Sequence, residues 1–389
     1  MSEAEARAAE VGAGVQAALA RGDAAGALAL VRDAEARAPG DLQLKLQRAM
    51  VCRAAGDLAG AALALDEALA IDPYDYVALL SKGAVTERRS GERAAAPVYR
   101  NALKVGPPDD RLPPPLKAPT ERARAVVARV DEALEEHLRA ATAAVASECS
   151  DAARRRFDES IGILSGRKRV YTQEPVLLHY PRLPAIPFYE REHFPWLPKL
   201  EAATSMIQGE LTGALEAARD DFAPYIAFPK DAPVNQWGEL NHSRRWSSFF
   251  LWKDGTRQDG ACRLCPQTAA LLDELPLAEQ PGFAPTAMFS ALEAHTRIPP
   301  HTGSTNVRLL CHLPLIRPGP ARFRVGAETR DWKMGQAWVF DDTIEHEAWN
   351  DADQLRVILI FDVWNPFVEE GEKPLINALL AARQGFYAS

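Results

Sequence analysis

The chain has 389 residues, a length that predicts two or three domains, each large enough to bury a hydrophobic core. Hydrophobic residues make up 47% of the sequence and charged residues 25%, with a formal net charge of −8, as in ordinary soluble globular proteins. The mild acidity argues against a nucleic-acid partner, and no stretch approaches the about 20 apolar residues that span a bilayer.

The N-terminus and the cysteines favour the cytoplasm. The first residues, MSEAEARAAEVGAG, lack the basic and apolar regions of a secretory signal. Five cysteines spread over the chain fit a reducing compartment better than a disulfide framework. Cys262 and Cys265 form an isolated C-x-x-C with no second pair or nearby histidines, and the sequence assigns them no role.

The first third of the chain is repetitive. Three kinds of residue recur at intervals of 34 or 35: glycine at Gly22, Gly56 and Gly91, alanine at Ala34, Ala68 and Ala102, and proline at Pro39, Pro73 and Pro107. A helix–turn–helix unit of this length resembles the tetratricopeptide repeat. Glycine permits the turn, alanine allows close helix approach and proline ends the second helix. An Ala-rich bundle with accidental periodicity is the alternative.

Prolines dominate the next segment, from Pro107 to Pro119. This composition predicts a stiff, extended linker that excludes helix. After Thr120, charged, Ala and Leu residues predict one or two connecting helices to about Leu164.

From about Val170 aromatic residues and prolines increase, and alternating apolar patterns predict short strands. These strands are expected at Ala287–Glu293, Asn306–Leu315, Ala337–Phe340 and Leu355–Trp364. The predicted fold class is α+β and multidomain, with a jelly roll (double-stranded β-helix) as the second part. The expected domains are all-α tetratricopeptide-like repeats at 1–106, a Pro-rich linker with connecting helices at 107–169, and the jelly roll at 170–389.

Two histidines and one arginine indicate a candidate active site. His301 and His346 are expected in loops, each beside a strand, and Arg356 lies inside an otherwise apolar strand. A buried guanidinium needs an anion, and arginine suits a carboxylate. Two imidazoles and a buried arginine at a barrel rim are the parts of a non-haem Fe(II) site with an organic-acid cosubstrate. A surface position for each histidine and a structural acid beside the arginine are the alternatives.

The residues that carry these groups resemble the aspartyl/asparaginyl β-hydroxylase family. The resemblance covers about Leu183 to Pro366 and includes LPAIPFYEREHFPWLPKLE, Pro-His-Thr-Gly-x-Thr-Asn-x-Arg, Phe-Asp-Asp-x-x-x-His-Glu-x-Trp-Asn and Arg…Asp-Val-Trp-x-Pro. Animal members of this family also carry tetratricopeptide repeats before the catalytic domain. The resemblance implies a 2-oxoglutarate-dependent dioxygenase with Fe(II).

The family implies a role for eight positions. His301 and His346 correspond to the iron ligands, Arg356 to the residue that grips 2-oxoglutarate, and Ser290 and His312 to further cosubstrate contacts. Asp342 corresponds to a partner of an iron-bound water, since Gly303 stands where most such oxygenases have a carboxylate. Arg308 corresponds to a residue on the substrate side and Trp246 to an aromatic residue near the site.

Structural alternatives remain for several of these positions. Asp342 with Asp341 could cap a turn, Ser290 could be a strand-end hydroxyl, His312 an internal polar partner and Trp246 core packing. The family often has a second arginine where this chain has Leu310. Such an arginine would help to hold the side-chain carboxylate of an aspartyl substrate, and this chain lacks it.

The predicted activity is therefore hydroxylation of an Asp/Asn-type residue in a protein or peptide that the helical repeats engage. A lipid or small-molecule hydroxylase of the same family is the second reading. Two hypotheses come from other functional classes. One is a non-catalytic repeat scaffold with a degenerate barrel, and the other is a cupin-type isomerase or other metal enzyme.

Overall fold

The fold is described from a computed structural model, which covers residues 3–388 and the side chains of residues 10–387. The chain divides between Lys168 and Arg169 into two units. The second unit thus begins one residue before the expected start of the jelly roll. Among the described residues, no helix combines the length and apolar character needed to cross a membrane.

The first unit consists of helices. In chain order they are α1 (Glu3–Ala20), α2 (Ala24–Arg37), α3 (Leu42–Ala54), α4 (Leu58–Ile71), α5 (Tyr76–Ser90), α6 (Glu92–Val105), α7 (Pro114–Ala146) and α8 (Asp151–Leu164). The first six form three antiparallel pairs in sequence order, the arrangement of tetratricopeptide repeats.

The periodic residues have the structural roles that the sequence predicts. Gly22, Gly56 and Gly91 adopt φ values of 76°, 78° and 84° at the turn within each helix pair, a conformation that glycine adopts without a Cβ clash. The recurring alanines Ala68 and Ala102 are fully buried where neighbouring helices meet. The prediction of tetratricopeptide-like repeats is confirmed.

The prediction of a non-helical proline linker is wrong from Pro114 onward. Helix α7 begins with Pro114 and Pro115 and continues through Pro119. The first amides of a helix have no intrahelical acceptor, so proline fits there without loss of a hydrogen bond. Only Pro119 removes an internal hydrogen bond, and the 33-residue helix tolerates this loss.

The second unit contains helices and two antiparallel sheets. Its helices are α9 (Leu197–Ala202), α10 (Thr204–Ala217), α11 (Asp259–Leu264), α12 (Pro266–Asp273) and α13 (Glu372–Ala388). Its strands are β1 (Ala223–Pro224), β2 (Trp246–Lys253), β3 (Thr256–Arg257), β4 (Ala287–Leu292), β5 (Thr296–His301), β6 (Arg308–Ile316), β7 (Ala321–Val325), β8 (Glu328–Asp331), β9 (Trp338–Phe340), β10 (His346–Asn350) and β11 (Arg356–Trp364).

The larger sheet has the order β1-β2-β4-β11-β6-β9, with β3 beside β2, and the smaller sheet has the order β5-β10-β7-β8. An apolar core that includes Met288, Phe323 and Ile358 lies between them, as in a jelly roll. The predicted fold class is confirmed.

Alternation along β11 separates the two faces of the larger sheet. Val357, Leu359 and Phe361 face outward and pack in the same core as Leu211 of α10 and the buried Cys265. Cys265 is fully buried in this packed layer, and burial raises the pKa of its thiol. The opposite face carries the polar groups that form the site.

Candidate active site

The two candidate metal-binding histidines lie beside each other on neighbouring strands. His301 is the last residue of β5 and His346 the first of β10, and the two residues are direct partners in the ladder. Their ring centroids are 4.1 Å apart. The expectation that both lie in loops is wrong, because β5 is an edge strand and accommodates Pro299 and Pro300 next to His301.

Both imidazoles are held in the same tautomer. His301 Nδ1 lies 2.8 Å from the carbonyl oxygen of Pro299, and His346 Nδ1 lies 3.1 Å from that of Ile344. A carbonyl can only accept, so each Nδ1 donates and each neutral ring keeps its lone pair on Nε2. Burial lowers the pKa of His301, and burial and then His301 lower the pKa of His346 well below its usual value. Both rings therefore present the electron pair that a metal ion requires.

Arg356 brings a charge into the barrel, and no acid among the described residues forms an ion pair with it. The residue begins β11 and is 1% exposed, and its guanidinium stacks on Trp332 at 4.6 Å. Its Nε and Nη1 have no hydrogen-bond partner among the described residues. Burial lowers the pKa of Arg356 to about 9, because the protein alone solvates this cation poorly. An anion in the cavity would satisfy these donors.

Three further predicted residues border the same end of the cavity as Arg356. Trp246 Nε1 donates to Ser290 Oγ at 3.1 Å, which leaves the Ser290 hydroxyl proton free to donate elsewhere. The His312 ring packs against Phe340, with ring centroids 4.6 Å apart, and its Nδ1 has no hydrogen-bond partner in the described part of the chain. Burial and then Arg356 lower the pKa of His312 well below its usual value, so this ring is neutral at physiological pH.

Asp341 and Asp342 have different roles, although they are neighbours. Asp341 Oδ1 accepts from the backbone N–H and the hydroxyl of Thr343 and so stabilises a turn. Asp342 instead lines the cavity, and no described residue donates a hydrogen bond to its Oδ1. Burial and then Asp341 raise the pKa of Asp342 well above its usual value. A Cβ on Gly303 would overlap the Asp342 carboxylate, so the absence of a side chain at 303 makes room for this acid.

Arg308 lies at the other end of the cavity and is already paired. Its Nη1 is 3.2 Å from Asp362 Oδ2 and 2.9 Å from the carbonyl oxygen of Phe283. Leu310 follows on the same strand face and is the direct cross-strand partner of Asp362. The structure thus places Arg308 beside the cavity but gives its charge an internal counterion.

All eight predicted site residues line one cavity of about 510 Å³. Residues that the sequence did not single out line it too: Tyr225, Trp237, Asp254, Phe323, Trp332 and Asp362. Of these six residues, only Asp362 could have been found from the sequence, because strand alternation places it on the same face of β11 as Arg356. Among the described residues, no three His, Cys, Asp or Glu side chains form a metal cluster.

Known proteins resemble the second unit. The family model described as aspartyl/asparaginyl beta-hydroxylase matches residues 206–366. The human aspartyl/asparaginyl beta-hydroxylase is 33% identical over 192 residues, which cover 47% of this chain and 24% of that protein. The ornithine lipid ester-linked acyl 2-hydroxylase of Rhizobium tropici is 33% identical over 196 residues, which cover 50% of this chain and 66% of that protein.

A third relative is aspartate beta-hydroxylase domain-containing protein 2 of Xenopus tropicalis, 30% identical over 217 residues, which cover 54% of this chain and 55% of that protein. The match thus spans about a quarter of the length of the human relative. The matched residues include both histidines, Arg356 and the strands that hold them. Residues 206–366, within the second unit, thus match the aspartyl/asparaginyl beta-hydroxylase family.

Proposed function

We propose that the second unit is a hydroxylase that uses Fe(II) and 2-oxoglutarate. His301 and His346 would hold the iron, and Arg356 would bind the distal carboxylate of 2-oxoglutarate. One observation carries the proposal: two imidazoles with free Nε2 lone pairs line one cavity with a buried guanidinium whose Nε and Nη1 have no partner among the described residues. An iron site and an anion site in one cavity are what such a reaction requires.

The donor groups fit an iron ion. Neutral imidazole nitrogen is a suitable ligand for iron, and both rings are fixed by backbone carbonyls. Gly303 supplies no third protein ligand, but the unpartnered Asp342 Oδ1 would accept from a water at that position and orient it. With 2-oxoglutarate, bound iron would supply the activation of O2 that delivers a hydroxyl group to the substrate.

The protein would position 2-oxoglutarate through Arg356 and Ser290. The guanidinium can donate two parallel bonds to one carboxylate, and the free Ser290 proton can supply a further bond. Neutral His312 adds a polar group without adding charge. Phe323 and Trp332 form an apolar wall that excludes water from this end, where electrostatic interactions are therefore stronger.

The substrate would be an Asp/Asn-type residue of a protein or peptide. Support comes from the names of the human and Xenopus tropicalis relatives and from the tetratricopeptide-like repeats, since repeats of this kind present extended binding surfaces. The name of the Rhizobium tropici relative supports a lipid acyl chain as the second candidate. A non-catalytic scaffold would need neither paired histidines with free Nε2 atoms nor an unpartnered Arg356.

Succinate formation by the purified full-length chain tests this proposal. With Fe(II), 2-oxoglutarate and O2, slow substrate-independent turnover is expected. His346→Ala should abolish it, whereas His137→Ala, which alters an exposed histidine of α7, should have no effect. A His346→Ala protein that retains wild-type turnover would contradict the assignment of His346 to the iron. A wild-type protein that neither binds iron nor forms succinate would favour the scaffold.

A further inference from the structure

The charges that border the cavity are unevenly distributed. Its lining includes two arginines and three aspartates, and no lysine. Arg356 and Asp362 lie on one face of β11, six residues apart, which corresponds to about 20 Å along a strand. Ile358 and Ile360 separate them on that face. The two ends of the cavity therefore differ in charge.

The end away from Arg356 carries the acids. Asp362 lies at this end beside Arg308, and Asp254 and Asp342 line the same cavity. The only arginine there, among the described residues, is Arg308. Once Arg356 binds 2-oxoglutarate, as the proposed function requires, Arg308 is the remaining arginine that could meet an anionic substrate.

Arg308 is poorly placed to neutralise a second acid. It already faces Asp362, which is 3% exposed and also accepts from the Thr286 N–H at 2.7 Å. Asp362 is thus fixed beside Arg308 by a backbone donor. A substrate carboxylate at this end would meet a guanidinium whose charge Asp362 already balances and would lie near other carboxylates, and both effects oppose its binding.

The remaining surface at this end is uncharged. Leu310 lies directly across the ladder from both Asp362 and Phe340 on the cavity face. The aromatic rings of Tyr225, Trp237 and Phe228 line the cavity as well. Such a surface favours aliphatic or amide groups over ions.

We propose that the substrate end of this cavity takes an uncharged side chain, amide or aliphatic, and excludes a carboxylate, and that Arg308, Leu310 and Asp362 set this selectivity. The inference rests on the proposed function, since that function assigns the Arg356 end to 2-oxoglutarate. In an Asp/Asn-type reaction, the chain would therefore act on asparaginyl and not on aspartyl groups.

Binding of two matched probes tests the selectivity. N-acetyl-L-aspartate methylamide and N-acetyl-L-asparagine methylamide have nearly the same shape and differ in charge. Calorimetric titration of each into the full-length chain, loaded with Mn(II) and N-oxalylglycine, should give an affinity for the amide at least about ten-fold higher, since one charge-assisted bond corresponds to about this factor.

Two independent charge changes should alter this ratio. L310R places a second guanidinium beside Asp362, so that one of the two arginines is free for a carboxylate. D362N releases Arg308 while it keeps an acceptor for the Thr286 N–H. Each is expected to raise the affinity for the aspartate probe about ten-fold. L310M alters the same side chain without adding charge and should keep the wild-type order of the probes.

The result that overturns the inference is an aspartate probe that binds wild type as tightly as the asparagine probe, or that gains no affinity in either charge variant. If neither probe binds to the wild type or to any variant, the inference is overturned as well. Binding of N-oxalylglycine with Mn(II), measured first, tests the proposed function separately. If N-oxalylglycine does not bind, the proposed cosubstrate site is contradicted. If it binds but the asparagine probe does not bind more tightly than the aspartate probe, only the selectivity is contradicted.

Discussion

The carboxylate of Asp342 fills the space into which a side chain at position 303 would extend. A Cβ built on Gly303 overlaps Oδ2 of Asp342, and the Gly303 N–H donates to the Asp342 carbonyl oxygen at 2.6 Å. Asp342, in the loop before β10, therefore places a carboxylate beside Gly303, which follows β5 and has no side chain of its own. Any side chain at 303 must displace this acid.

Gly303→Ala should weaken Fe(II) binding about ten-fold or more, because displacement of a partner of the metal site costs affinity on this scale. Equilibrium dialysis measures the effect. Gly209→Ala is the control, since nothing lies within 4 Å of its Cβ position in α10. The double variant Gly303→Asp with Asp342→Gly should regain part of the binding. Unchanged iron affinity in Gly303→Ala would mean that Asp342 does not act at the iron.

Arg356→Met should stabilise the ligand-free protein and weaken its binding of 2-oxoglutarate. Since Nε and Nη1 of this buried guanidinium have no partner among the described residues, its replacement should raise the free energy of unfolding by about 1–2 kcal/mol in urea denaturation. The affinity for 2-oxoglutarate should fall about 100-fold, because two charge-assisted bonds are lost. Arg356→Lys keeps the charge and should lose less affinity. A destabilised Arg356→Met protein would indicate a structural counterion instead.

Ser290→Ala should raise the dissociation constant for 2-oxoglutarate about ten-fold, because it removes one hydrogen-bond donor to a charged ligand. The matched control is Ser248→Ala. Ser248 is the direct cross-strand partner of Ser290 and is fully buried, but its Oγ has no partner and it does not line the cavity. Calorimetric titration compares the two variants. Equal effects of both would assign Ser290 to the core and not to the site.

Gly83→Ala should destabilise the helical unit by about 1–3 kcal/mol, since a Cβ there overlaps the Tyr99 ring where α5 and α6 meet. Tyr99 cannot easily move, because it is 2% exposed and its hydroxyl donates to Glu87 at 2.9 Å. Gly14→Ala in α1 meets only an ordinary contact and should be neutral or stabilising. Thermal unfolding of both variants measures the difference, and equal melting temperatures would contradict the close approach.

The repeats could be predicted from the sequence because their determinants are local. A glycine at a turn or an alanine at a helix crossing acts within one 34-residue unit, so its position carries the information. The cavity face of β11 was also predictable, since strand alternation alone places Arg356 and Asp362 on one side. The proline segment misled the prediction, because proline has opposite effects in the first turn of a helix and in its interior.

The geometry of the site depends on contacts that the sequence does not encode locally. That His301 and His346 are ladder partners follows from the register of β5 and β10, which are 45 positions apart at these residues. The pairing of Arg308 with Asp362 and the fit of Asp342 above Gly303 likewise require strands to meet. The resemblance to a family identified these residues, and the structure supplies the physical reason for their positions.

Anaerobic Fe(II) binding to the full-length chain, with and without 2-oxoglutarate, tests the central claim most directly. We expect one iron per chain in the wild type, a visible absorption band when 2-oxoglutarate is added, and loss of the iron in His301→Ala and His346→Ala but not in His137→Ala. In Arg356→Met the iron should remain, while the concentration of 2-oxoglutarate that produces the band should rise. Iron that stays bound at the wild-type level when both histidines are replaced would contradict the account.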